Sequence, residues 1–304
     1  MIDISFITIN YNSSAYTIEL IKSIFKEVNQ EITYEIIVVD NASILEDYEK
    51  LISYTKTDDK IKVVRNTINS GFATGNMIGV NYATGEYFFF LNNDTIMLND
   101  CASIIKTYLD KNIDIGLATG KVNDENGNFS SSYKLFPSVT KELLGNSIAR
   151  KLSKDNFPSN KIKLNKPTLV EVVSGSFMFF RATIFKKING FDKEFFLYCE
   201  EEDISKRVWS SGSKIIFLPE ASIYHASGGS TQKSFEIERE YYISYKYLIF
   251  KHFSFIAACF LLFLQIFKLF RRSLKRKNGF KLLIFAIKGF SSKESLKHQQ
   301  KETE

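Results

Sequence analysis

The segment Tyr87-Phe88-Phe89-Phe90-Leu91, followed by Asn92-Asn93-Asp94-Thr95, narrows the folds open to this chain more than any other stretch. An unbroken apolar run of strand length describes a strand covered on both faces, as in parallel sheets flanked by helices. The run stops at polar side chains, at the carboxyl end of the strand, where open α/β sheets hold their ligands. Asp94 offers a hard carboxylate oxygen there, the donor that Mg²⁺ or Mn²⁺ prefers. Asn and Asp also form ordinary turns, so this stretch alone does not separate a site from a turn.

The first half of the chain repeats the pattern. Residues 4–9 predict a strand ending at Asn10-Tyr11-Asn12, and residues 34–39 a second ending at Asp40-Asn41-Ala42-Ser43. Residues 61–64 predict a third, and residues 87–91 the fourth. Helical spacing of apolar residues marks 15–26 and 45–54, and a loop from Gly71 leads into another helix. Strands alternating with helices predict a mainly parallel sheet with right-handed crossovers. Residues 99–111 read as a helix and 116–119 as a strand.

From Lys121 to Pro167 the pattern breaks down, and the polar stretch 147–166 reads as a long loop or flap. A strand over 169–180, broken at Ser174-Gly175-Ser176, restores order. A short helix over 183–188 follows, then one over 200–211 that opens on four acids, which suits a helix N-terminus. Short strands at 215–218 and 223–225 lead to Gly228-Gly229-Ser230, where the ordered core is expected to end.

Charge divides the chain. Residues 241–293 carry eleven Lys and Arg and no acid, whereas residues 1–240 have a net charge of −4. A nucleic-acid enzyme more often spreads positive charge over its working face. Basic residues mixed with Phe, Leu and Ile point to an anionic membrane surface instead. The uncharged stretch 253–267 falls short of the roughly 20 residues of a spanning helix. It predicts a helix lying in the membrane interface, with a span starting near Tyr247 as the second choice, and 279–290 predicts another interfacial helix. The domains expected are therefore 1–235 and a helical, membrane-associating 236–304. Three distant cysteines and no apolar leader predict a cytoplasmic protein, peripheral at the inner face of the plasma membrane.

Asp40, at the end of the second strand, suits hydrogen bonds to a nucleotide. A dinucleotide-binding fold also needs a Gly-rich turn after the first strand. The first Gly of this chain is Gly71, so that reading fails, and no Gly-Lys-Ser/Thr phosphate loop is present either.

Taken together, Ile7-Thr8-Ile9-Asn10-Tyr11-Asn12, Val38-Val39-Asp40-Asn41-Ala42-Ser43, the 69–76 loop and Leu91-Asn92-Asn93-Asp94-Thr95 resemble the inverting family 2 glycosyltransferases of GT-A fold. Lys134-Leu135-Phe136-Pro137-Ser138, the 190–203 segment and His225-Ala226-Ser227-Gly228-Gly229-Ser230 resemble their bacterial rhamnosyltransferase-like branch. The resemblance covers residues 3–235. It implies that Thr8, Asn10, Asp40, Asn69, Gly71, Asn76 and Asn92 line a nucleotide-sugar donor site. It also implies a divalent metal, Mg²⁺ or Mn²⁺, held by Asp94 and by His225, although His225 equally suits a core histidine. Asn92 stands where the family's Asp-x-Asp motif has its first acid. Glu201 takes the position of the usual catalytic Asp, with Glu200 and Asp203 as alternatives, and Arg207 holds the acidic loop. Asn93 reads as a spacer. The activity implied is transfer from dTDP-rhamnose or a UDP-hexose to a glycan on a polyprenyl-diphosphate carrier. The rival readings are a sugar nucleotidyltransferase and a scaffold with impaired catalysis.

Overall fold

The computed structural model describes residues 1–302 apart from 131, 153–156, 160–163, 227–233 and 275–276. The expected Gly228-Gly229-Ser230 end of the core lies outside the described residues. The first half alternates as read: β1 Ile4–Asn10, α1 Ser14–Glu27, β2 Tyr34–Asp40, α2 Leu45–Thr55, β3 Ile61–Arg65, α3 Gly71–Val80 and β4 Tyr87–Leu91. Next come β5 Thr95–Met97, α4 Cys101–Lys111, β6 Ile115–Asn123, β7 Phe129–Ser130, β8 Tyr133–Lys134 and α5 Val139–Leu152. Then follow β9 Thr168–Leu169, β10 Val172–Val173, β11 Phe177–Arg181, α6 Ala182–Lys187, α7 Glu200–Ser210 and β12 Lys214–His225. Three helices close the chain, α8 Phe235–His252, α9 Phe255–Ser273 and α10 Lys277–Ile287, with two 3₁₀ turns at Ser292–Glu294 and Leu296–His298.

The main sheet is mixed and mainly parallel, in the order β3-β2-β1-β4-β11-β6-β12-β5. Strands β1, β2, β3 and β4 run parallel, as does β6 beside β12. The antiparallel β11 joins the two parallel groups by pairing with β4 and β6. Strand β4 therefore sits in the middle, and alternation sends its side chains into two cores. Tyr87, Phe89 and Leu91 enter one, and Phe88 and Phe90 the other. Phe89 packs on Phe6, Phe177 and Phe179 at centroid distances of 5.1–5.3 Å. Burying each such ring contributes roughly 2–3 kcal/mol.

Three segments depart from the sequence reading. The polar 147–166 stretch is a helix up to Leu152, because α5 runs on from Val139 through a break at Gly145, whose φ is +80°. The two short strands at 215–218 and 223–225 form one long strand, with a register shift between Leu218 and Ser222. Residues 236–252 do not stand apart from the body. Tyr245, Leu248 and Ile249 of α8 enter the same core as Phe88 and Phe90.

The chain between α8 and α9 is extended at Phe253, and Ser254 caps α9. That break removes the second-choice span beginning near Tyr247. No helix among the described residues is long and apolar enough to cross a membrane. Helix α9 instead carries apolar residues on both its inward and its outward side, with its charges in the last two turns. Ala258, Leu261, Gln265 and Leu269 face inward, while Phe260, Phe263, Phe267 and Phe270 are 40–60% exposed. A helix of this kind calls for cover on both sides.

Candidate active site

The strand ends of β1, β2 and β4 lie side by side, because these strands run parallel. A relay of buried side chains ties them together. The Asn93 amide donates to Ser13 Oγ at 2.7 Å and to Thr17 Oγ1 at 3.0 Å. The Thr17 hydroxyl donates to Asn10 Oδ1 at 2.8 Å, and the Asn10 amide donates to Asp40 Oδ1 at 2.9 Å. Asn93 thus locks β4 onto the start of α1. Its partners lie about 80 residues back along the chain, so local spacing gives no sign of them.

Beside the relay opens a cavity of about 420 Å³, lined by Tyr11, Asn41, Asn69, Gly71, Asn76 and Asn92 among others. The predicted donor residues therefore divide. Asn69, Gly71, Asn76 and Asn92 line the cavity, whereas Thr8, Asn10 and Asp40 lie buried behind it. Among the described residues the Thr8 hydroxyl has no hydrogen-bond partner. Asn41, quoted in the second strand-end motif but given no role, organises the 66–71 loop. It donates to Asn69 Oδ1 at 2.8 Å and accepts from Asn66 and Ser70. Gly71, at φ +77°, brings that loop against Phe196. A Cβ there would stand 2.2 Å from Phe196 O, so only glycine fits.

Asp94 is buried one residue beyond the cavity-lining Asn92 and Asn93. Strand β12 pairs with β5 so that His225 faces Thr95, which sets His225 Nε2 3.1 Å from Asp94 Oδ1. Among the described residues no partner other than His225 reaches that oxygen, a sparse environment for a buried carboxylate. A divalent cation fits this pair. One carboxylate and one imidazole leave coordination positions for substrate phosphates and water, as Mg²⁺ and Mn²⁺ sites commonly do. Among the described residues no set of three or more His, Cys, Asp or Glu side chains could hold an ion.

The acids opening α7 occupy four different environments. Tyr198 and Cys199 precede them in the left-handed region, at φ 71° and 69°, a strained entry held from outside. Ser244 of α8 donates to Leu197 O at 2.8 Å. Asp203 is wholly buried. His252 and Lys251 reach its Oδ1 at 2.8 and 2.6 Å, and Arg207 grips its Oδ2 at 2.6–2.8 Å. Burial opposes its charge, but His252, Arg207 and Lys251 prevail and bring its carboxyl down to about 2. Glu200 is buried, with Oε2 unbonded, and burial together with the Glu201 charge pushes its carboxyl well above the usual range. Burial and the same charge push Glu202 up to about 7.

Glu201 alone of the four retains appreciable exposure. Burial works against its charge too, yet the Lys134 ammonium, 3.0 Å from Oε1, holds its carboxyl below the ordinary value. Lys134 also reaches Glu202 Oε1 at 2.5 Å. The Lys134-Leu135-Phe136 motif carried this residue without a role, and Lys251 and His252 fell in the part read as membrane-seeking.

Residues 5–188 match the family model described as glycosyl transferase family 2. The rhamnosyltransferase WbbL of Escherichia coli is 28% identical over 163 residues, which cover 51% of this chain and 60% of that protein. The chain thus spans less than two thirds of that relative's length. Two solved structures superpose on it: GalNAc-T7 with UDP, GalNAc and Mn²⁺, and Staphylococcus aureus TarS 1-349 with UDP-GlcNAc. The TM-scores are 0.60 and 0.59, at 17% and 19% identity. The first superposition covers 82% of this chain and 50% of the other, the second 95% and 80%. Both likenesses concern the fold, which is GT-A. With more than half of its length matched by the family model, the chain belongs to glycosyl transferase family 2.

Proposed function

We propose that this protein transfers a sugar, with inversion, from a nucleotide-diphosphate donor to a hydroxyl of a growing, lipid-linked cell-surface glycan. One observation carries the reading: the buried Asp94 carboxylate paired with His225, at the strand end next to an amide-rich cavity. Asp94 and His225 would hold Mg²⁺ or Mn²⁺, which when bound supplies positive charge for the departing diphosphate. The cavity takes the donor, with Asn69, Asn76 and Asn92 against it. The Asn10–Asp40 relay keeps the walls of that site in register.

Glu201 is the base of this scheme. A base must be ionised and within reach of its proton, and Glu201 is both ionised and partly exposed. Lys134 occupies Oε1, so Oε2 takes the proton of the acceptor hydroxyl. The acceptor oxygen bonds to the anomeric carbon as the bond to the diphosphate breaks, and the nucleotide diphosphate leaves. A single displacement of this kind inverts the anomeric centre.

The relative's rhamnosyltransferase activity favours dTDP-rhamnose as donor, with UDP-hexoses as the other class. The outward Phe face of α9, with Arg271, Lys281 and Lys288 exposed nearby along the chain, supports docking at an anionic membrane on its cytoplasmic side, where a polyprenyl-diphosphate acceptor resides. The test is nucleotide release from a panel of dTDP and UDP sugars, with and without Mn²⁺. Asp94→Ala is expected to lower kcat by about 100-fold or more, the scale of losing a preorganised charge stabiliser. Full activity of that variant with Mn²⁺ present would overturn the metal site. No release by the unaltered protein from any donor would leave a scaffold.

A further inference from the structure

The two 3₁₀ turns at Ser292–Glu294 and Leu296–His298 run back over α8 to the cavity. Leu296 and Gln300 line it together with Ile237 of α8. Several bonds anchor this segment. Glu240, a buried carboxylate of α8, accepts from Ser295 Oγ and from Leu296 N, both at 2.8 Å. Arg239 pairs with Glu294 at 3.1 Å, and Lys297 reaches Lys193 O at 3.2 Å. A buried carboxylate aimed at two specific donors fixes where the segment lies, because leaving either unmatched is costly.

The amides of the cavity differ in what remains open. Asn41 is engaged at both Nδ2 and Oδ1, Asn69 at Oδ1, and Asn76 and Asn93 at Nδ2. Gln300 donates from Nε2 to Leu296 O at 2.8 Å, and no hydrogen bond among the described residues engages its Oε1. An amide oxygen in this position accepts from an N–H or O–H. We infer that residues 292–300 form a wall of the donor pocket, with Leu296 packing against the bound nucleotide sugar and Gln300 Oε1 accepting a hydrogen bond from it. The inference rests on the donor-site reading above.

The test uses the full chain, Gln300→Ala, Leu296→Ala, and a truncation after Ser291. Affinity for dTDP or UDP alone and for the matching nucleotide sugar is measured by calorimetry, with donor KM and kcat alongside. Each substitution is expected to weaken donor binding and raise KM roughly three- to tenfold, the scale of one lost hydrogen bond for Gln300→Ala and of lost apolar contact for Leu296→Ala, with kcat within about twofold. Exposed Lys301→Ala is expected to match the unaltered protein. A loss for the nucleotide sugar only assigns Gln300 to the sugar, and a loss for both ligands assigns it to the nucleotide. Unchanged affinity and KM in both point variants would overturn the inference, as would tighter binding by the truncated chain, which would make the segment a plug. If the unaltered protein binds no nucleotide or nucleotide sugar, the donor-site reading itself fails, which keeps the two failures distinct.

Discussion

Glu201 and Asp203 stand two residues apart on one turn, yet their environments differ sharply. Asp203 faces Arg207, Lys251 and His252 and no solvent; Glu201 pairs with Lys134 and keeps an exposed edge. Glu201→Gln is therefore expected to lower kcat by about 10²–10⁴-fold with little change in denaturation midpoint. Asp203→Asn is expected to cost about 3–5 kcal/mol of stability, because it removes the buried charge that Arg207, Lys251 and His252 converge on. The pH dependence has a definite sign. The Asp203 carboxyl lies below its ordinary value when folded, at about 2. Its stabilisation is thus complete above about pH 4 and is lost as pH falls through 2. Denaturation curves of the two proteins should converge over that range, and a gap that stays constant down to pH 2 would refute the clamp. The motif order made the acidic run legible. It did not reveal which acid is free, because that depends on Lys134, Lys251 and His252, which lie 48 to 69 residues away from it in the chain.

At the scale of elements, β4 repaid its prominence in the sequence. Its five residues are buried on both faces and pair with β1 and β11. Phe89→Ala is expected to cost about 3–5 kcal/mol, read from chemical denaturation, and a loss below 1 kcal/mol would contradict its central packing. Strands β1 to β4 were legible because each gathers β-branched or aromatic residues in a short segment of its own. The antiparallel β11 was legible as a strand but not as the joint between the parallel groups, since pairing order leaves no local mark. Helix α8 was misjudged for a physical reason. Its aromatic residues suit a membrane interface and a protein core equally well, and only the partners on α7 and in the core separate the two.

At the scale of the whole molecule, the acidic body and basic end are joined by helices that face two ways. Inward residues of α9 and α10 complete the cores, and the outward Phe row of α9 has no cover among the described residues. The protein is expected to sediment with vesicles containing an anionic lipid, less with neutral vesicles, and less again as salt rises, since each basic residue near such a surface adds about 1 kcal/mol. Replacing Phe260, Phe263 and Phe267 together by Ser should release it. Sedimentation unchanged in that triple variant would refute docking through this face. The charge division was legible in composition. The return of residues 292–300 to the cavity was not, because their polar sequence resembles any surface turn and only Glu240 reveals the anchor.

The grip of Lys251 and His252 on Asp203 bears on how members of such a family exchange parts. The last turn of α8 belongs to the acidic turn of α7 as much as to its own helix. A recombinant that joins the front of one relative to the back of another at residue 235 would separate the clamp from the carboxylate it evolved with. A junction after Phe253, where the backbone is already extended, keeps both halves of the clamp from one parent and exchanges only α9, α10 and the segment that follows them.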